Sequence, residues 1–246
     1  MACEERKREN IFADSKEIIF KKRKMIKRMN KGLLKKTWSI GIIMVLMLII
    51  NKAYGQKCKG VEVINDEGKE IVKQAEVINW YGLDLSMASL TNGKKSKDGE
   101  LIRDTYCPAW ITYFNDKIPP EKLEKRSYLG KKVIYDPVSV QDRYKLLDTE
   151  TWVTHYEKNI NEEQIKDLIK SYELQEKEGI GCVLIVDNLN KPKERTTAYL
   201  TFFDIKSREI YWLIKSKAKA DGWGMTGFWG QGLMGNFKCA IKVTHY

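Results

Sequence analysis

Histidine is nearly missing from this chain: His155 and His245 are the only two in 246 residues. No CxxC pair and no HExxH segment occurs either. Two imidazoles and no paired thiols leave no ready ligand set for zinc, so no metal is expected. Histidine-based acid–base chemistry would fall to His155, because His245 stands one residue from the end, where fraying undoes precise positioning. Proline is scarce at five residues, and there is no repeat or low-complexity tract, so nothing marks a linker inside the main body. Long apolar runs are lacking too. The most apolar stretch, Trp38–Ile50 (WSIGIIMVLMLII), has 13 residues. As a helix it reaches about 20 Å, where a bilayer core needs about 20 residues.

What is present in that stretch suits a secretory signal. Lys27, Arg28, Lys31, Lys35 and Lys36 precede it, and Ala53-Tyr54-Gly55 follows with the small-x-small spacing of a cleavage site. Residues 1–55 therefore read as a basic extension plus signal peptide, with the apolar core at 38–50 and cleavage after Gly55. The other reading is an uncleaved signal anchor in the inner membrane, and membrane contact is expected only through 38–50 in that case. Met25 and Met29 are alternative starts to Met1. The charge follows the same division: residues 1–55 hold 14 of the 44 basic and 5 of the 33 acidic residues, hence most of the net +11. From Gln56 onward the signs interleave, as on a solvated surface, and no nucleic-acid partner is expected.

The rest reads as one domain. Gln56–Glu70 carries little apolar pattern and suggests a tether, or a weak first strand at Val61–Ile64. Ala75–Tyr81 alternates like a strand, and Ile102, Tyr106, Ala109, Trp110, Tyr113 and Phe114 recur at helical spacing around Pro108. The glycines and lysines of Asn92–Gly99 mark an exposed loop. Lys132–Val140 reads as a strand that Pro137 confines to a sheet edge. Asn161 is a good helix N-cap before Ile165, Leu168, Ile169 and Tyr172, and Gly179 marks that helix's end. Ile180–Val186 is a continuous apolar run, as in a strand covered on both faces. Thr196–Ile205 and Glu209–Lys217 form a hairpin, and Asp221–Gly235 leads into a C-terminal helix ending over Asn236–Val243. The expectation is an α+β fold over residues 71–246, a mostly antiparallel sheet with helices packed on one face. Cys58, Cys107, Cys182 and Cys239 allow two disulfides in three connectivities. Cys182 and Cys239, in apolar elements, also read as small buried hydrophobes.

The segments IGCVLIVDNLN and TAYLTFFDIKSREIYWLIKSKAKA, with the glycine-started helix after them, resemble the layout of the TolB amino-terminal domain and of the curli-transport lipoproteins. The resemblance covers residues 160–243, and the chain departs from it in having no lipobox cysteine. It implies a non-catalytic envelope module acting through protein contacts.

Three constellations invite chemistry. Gly222-x-Gly224-x-x-Gly227 and Gly230-x-Gly232-x-x-Gly235 match the dinucleotide fingerprint, but no strand–turn–helix unit or downstream acid accompanies them. They read instead as a close helix approach, and no cofactor is expected. Cys107, His155 and Asp84 (or Asp104) are the residue types of a thiol-dependent hydrolase, although TYCPAW carries no known signature and Cys107 also reads as a helix-face residue or disulfide partner. Trp223 and Trp229, flanked by glycines, suggest a flat platform for a sugar or peptide, against core packing as the ordinary use of such rings. The reading chosen is an exported, periplasmic or secreted, non-enzymatic binding or assembly module. Its partner would be an envelope protein or peptide that pairs with the sheet edge at Val133–Val140.

Overall fold

In the computed structural model, which describes residues 58–92 and 99–245, the apolar run after Gly179 is the centre of the molecule. It forms β6 (Ile180–Asn190), buried at every position. Around it the described residues build an eight-stranded mixed sheet from β1 (Cys58–Asn65), β2 (Val77–Asp84), β3 (Ser89–Thr91), β4 (Lys132–Tyr135), β5 (Val153–Thr154), β7 (Arg195–Asp204) and β8 (Ile210–Lys219). The order is β1-β8-β7-β6-β2-β4, with β3 beside the second half of β6 and β5 beside β3. The long ladders β6–β7, β7–β8 and β8–β1 are antiparallel. The β2 and β3 side adds parallel pairs to β6, β4 and β5. The α+β expectation holds, and the parallel portion is where helices connect successive strands. The expected leader and residues 93–98 of the expected loop lie outside the described residues.

Alternation in the hairpin decides the two faces. Ala198, Leu200 and Phe202 join the larger core, while Tyr199 and Phe203 join the smaller. The larger core lies under α2 (Cys107–Lys117) and α4 (Gly224–Val243) and is tied by rings: Phe237 meets Trp80 at 5.2 Å and Phe114 at 5.9 Å between centroids. The smaller lies under α3 (Glu162–Lys170), whose Ile165, Leu168 and Ile169 are buried. The main helical layer thus sits on one face, and α3 covers the other. Asn161 closes α3 with a capping box: its side chain accepts from the Gln164 N–H and its own N–H donates to the Gln164 side chain, both at 2.9 Å. The helix stops at Lys170, not at Gly179, because Ser171 turns and its carbonyl is taken by the Arg143 guanidinium at 3.3 Å. Gly179, at φ 103°, instead opens β6.

Two further elements differ from the sequence reading for plain reasons. The α-helix around Pro108 begins at Cys107 with the proline in its first turn, but it continues a longer helical stretch. Residues Gly99–Leu101 lead into a π-helical segment, Ile102–Tyr106, and then into α2. A wider turn just before a proline absorbs its missing N–H and the clash with the carbonyl four residues back. The glycine-rich passage is itself helical from Gly224. A Cβ at Gly230 would lie 2.5 Å from Tyr113, at Gly232 2.7 Å from Thr196, and at Gly235 2.8 Å from Ala218. The second fingerprint is therefore the surface by which α4 sinks onto α2, β7 and β8. Beside it Asn236, fully buried, accepts from the Thr196 hydroxyl and donates to the Ser216 carbonyl at 2.7 Å. This polar knot fixes how α4 sits on the sheet.

Candidate functional site

The residues singled out for thiol chemistry do not meet. Cys107 is fully buried in the larger core, where desolvation pushes its thiol up to about 12, far from a thiolate at neutral pH. His155 is exposed. Asp84 is buried and points elsewhere: it accepts from the Tyr172 hydroxyl at 2.6 Å and the Ser86 N–H at 2.7 Å, with Arg143 3.7 Å away. Burial raises its carboxyl above the ordinary value against these bonds. Tyr172 belongs to the smaller core, so Asp84 serves the face opposite Cys107. Asp104, the alternative, is exposed and paired with its neighbour Arg103 at 2.7 Å. The geometry therefore corrects the thiol-enzyme alternative.

The tryptophan platform is corrected as well. Trp223 is 99% exposed at the N-cap of α4, whereas Trp229 is 1% exposed and packs edge-to-face on Phe228 at 4.8 Å. One ring faces water and the other fills the core, so they share no surface. Among the described residues no three His, Cys, Asp or Glu side chains are grouped as a metal site would need.

The structure instead draws attention to the sheet's two ends. β4 ends at Tyr135; the strand expected over Lys132–Val140 gives way after Pro137 to a helical turn, Val138–Gln141. β4 pairs with β2 through residues such as Lys132 and Asp136, whose N–H groups donate to Glu76 and Trp80 carbonyls at 3.1 and 3.0 Å. Between them the Val133 N–H is taken by the Glu124 carboxylate at 3.1 Å. A side chain thus occupies the outward donor that an added strand would need.

β1 is the opposite case: of the two readings of 56–70, the tether is overturned and the first strand is found, longer than the expected Val61–Ile64. Cys58–Asn65 is an eight-residue strand on β8, with Val61 opposite Ser216 and Val63 opposite Ile214. Among the described residues no strand pairs with its outer edge. Val61, Val63 and Ile64 are 38%, 43% and 37% exposed. Its first residue is held covalently: Cys58 is bonded to Cys239 of α4, 181 positions away. Cys239 is thus a disulfide partner and not a lone buried hydrophobe, while Cys182 and Cys107 are free and buried among the described residues. Such a bond belongs to oxidising compartments. Among the described residues no helix is long and apolar enough to cross a membrane. No family model matches the chain, and no curated protein or solved structure matches it either.

Proposed function

We propose that this chain is an exported, non-catalytic envelope module that recruits a protein or peptide partner by adding the partner's strand to the outer edge of β1. The observation that carries this is the edge itself: eight residues of open ladder with exposed valines, on a strand clamped at its start by a disulfide. Main-chain groups would supply affinity, and Val61 and Val63 would select alternate apolar side chains on the partner. Export is supported by the cations before Trp38–Ile50, the small-residue cleavage pattern and the Cys58–Cys239 bond. The layout resemblance of 160–243 to envelope domains of the TolB and curli-transport kind agrees with action through protein contacts.

The test is a photo-crosslinking residue placed at Val63, at Val133 or at the half-buried Lys166 of α3, in the full chain within its native host. Adducts at position 63, missing at the other two and abolished by a V61K/V63K double substitution that leaves the far-ultraviolet spectrum unchanged, are the expected result. Equal adducts at 63 and 133, or none above the Lys166 level, would overturn the reading. Intact mass beginning at Gln56 is expected in the same preparation; a mass retaining 38–50 would replace export by membrane anchoring.

A further inference from the structure

Among the described residues only two Phe, Tyr or Trp side chains are exposed, Trp223 at 99% and Tyr156 at 67%, and both stand at one end of the sheet. Strand register places them there. Thr154, Thr91, Asn190, Arg195 and Lys219 follow one another as partners across β5, β3, β6, β7 and β8. Tyr156 lies just past Thr154, and its carbonyl accepts from the Thr91 and Thr154 hydroxyls at 3.2 and 2.5 Å. Trp223 lies just past Lys219, on a connector whose Ala220 N–H donates to the Glu194 carbonyl at 2.8 Å. In the strand order the turn 191–194, from β6 to β7, falls between the two rings. The backbone on either side of Trp223 is tied down: Asp221 accepts from the Gly222 N–H at 2.8 Å, and the Trp110 indole donates to the Met225 carbonyl at 3.1 Å. The charge at this end is in cationic excess. Lys193 and Arg195 share one carboxylate, that of Glu157, at 2.6 and 3.0 Å. Lys59, Lys191 and Lys219 are exposed and make no ion pair among the described residues, while Glu194 and Asp221 are the exposed acids beside them. Lys191 is steadied 3.8 Å over the Phe228 ring. At the opposite end α1 (Lys69–Gln74) follows β1, with the Gly68 N–H on the Tyr211 carbonyl at 2.9 Å, and Ile71 is exposed there but no aromatic ring.

We propose that this end of the domain rests on the surface of an anionic lipid bilayer, with Trp223 and Tyr156 at headgroup depth. Indole and phenol rings join an apolar body to a polar edge, a combination favoured at the boundary between membrane and water. The two rings stand on separate connectors with a lysine-bearing turn between them. That spread suits a broad surface taking several side chains at one level, where a protein pocket would take a single anchor. Lys59, Lys191 and Lys219 would meet lipid phosphates, and each ammonium is drawn to an anionic leaflet. An apolar partner would instead strip water from these ammonium groups and pair them with nothing. The contact is distinct from residues 38–50, and it does not depend on strand addition at β1.

The test is titration of the full chain, as isolated from its native host, with vesicles of phosphatidylcholine alone or mixed with phosphatidylglycerol. The lipids are brominated high on their acyl chains, and the readout is tryptophan quenching, taken as the difference between each protein and its W223F counterpart. That difference isolates the Trp223 indole from the other tryptophans. Saturable quenching is expected on the mixed vesicles, with an apparent affinity at least about tenfold above that for phosphatidylcholine alone. Lys191 and Lys219 are exposed, so K191E/K219E should keep the far-ultraviolet spectrum and lose about tenfold or more in affinity for the mixed vesicles. K191Q/K219Q is the milder pair should the reversal express poorly. K177E/K206E, which changes two exposed lysines at the opposite end of the sheet, should leave the affinity unchanged. No quenching at Trp223, equal affinity for the two kinds of vesicle, unchanged affinity in the folded K191E/K219E and K191Q/K219Q proteins, or an equal loss in K177E/K206E would overturn the proposal.

Discussion

At one end of the sheet, β4 has four residues, a proline just beyond its last one and a glutamate on its outward N–H. At the other end, β1 has eight residues, exposed valines and no side chain over its outer ladder among the described residues. Both are edge strands, and an unprotected edge is an aggregation hazard that natural sheets blunt with charge, proline or shortness. β4 uses all three devices. β1 uses none of them beyond Lys59 and Glu62, and is held instead by a covalent bond to a helix behind the sheet. The difference teaches that openness at β1 is retained and stabilised, while openness at β4 is closed off, which is the pattern expected of a strand kept available for a partner.

The largest effect expected is from breaking the clamp. Removing a link across 181 positions frees much denatured-chain entropy, and C58S should lower stability by roughly 2–5 kcal/mol in urea unfolding. Amide exchange should accelerate in β1 and its β8 partner and stay unchanged in β2 and β4. Acceleration of both edges alike would erase the contrast. A second variant lies between the edges. Burial holds the Asp187 carboxyl at about 6 against an ordinary 3.8, with Lys215 3.9 Å away. The folded state therefore keeps a proton that the unfolded chain releases. Stability from this group is full below the unfolded value and is lost as pH rises through about 6. D187N keeps the acceptor for the Ile160 N–H, now at 3.0 Å from Asp187, and should raise stability near neutral pH by on the order of 2–3 kcal/mol. The gain should shrink as pH falls toward about 4.5, read by thermal melts across pH, and exchange at both edges should slow together. The smallest effect is expected from E124A, which uncovers the Val133 N–H. Stability should drop by less than about 1 kcal/mol, with faster exchange at Val133 and new self-association through β4. No self-association would mean that shortness and Pro137 suffice to protect that edge.

Much of the centre was legible in the sequence. The Ile180–Val186 run, the Thr197/Tyr199 against Ala198/Leu200 alternation and the Asn161 cap all carry signals that survive packing, because a covered face or an unsatisfied helix end selects particular residue types. β1 was legible only as a weak strand at Val61–Ile64, for the same reason inverted. Seven of its eight residues are exposed, so no face was selected for apolar character and Val61-Glu62-Val63 looks like any polar stretch. Pro137 correctly marked an edge, but it ended the strand instead of lying within it. The pairing of Cys58 with Cys239 could not be read from spacing, since residues 181 apart meet only through the full sheet order.

The position of the Cys58 bond has a mechanical consequence. Tension arriving from the amino-terminal side meets the domain at the first residue of a strand that is laced, among the described residues, to β8 alone. Hydrogen bonds loaded from one end of such a strand would open in succession, like a zip. Because the covalent link precedes the ladder, the load passes to Cys239 and so into α4, seated on the sheet by its glycines and the Asn236 knot. The β1 ladder is spared that pull, and an edge open to visitors can still anchor the domain.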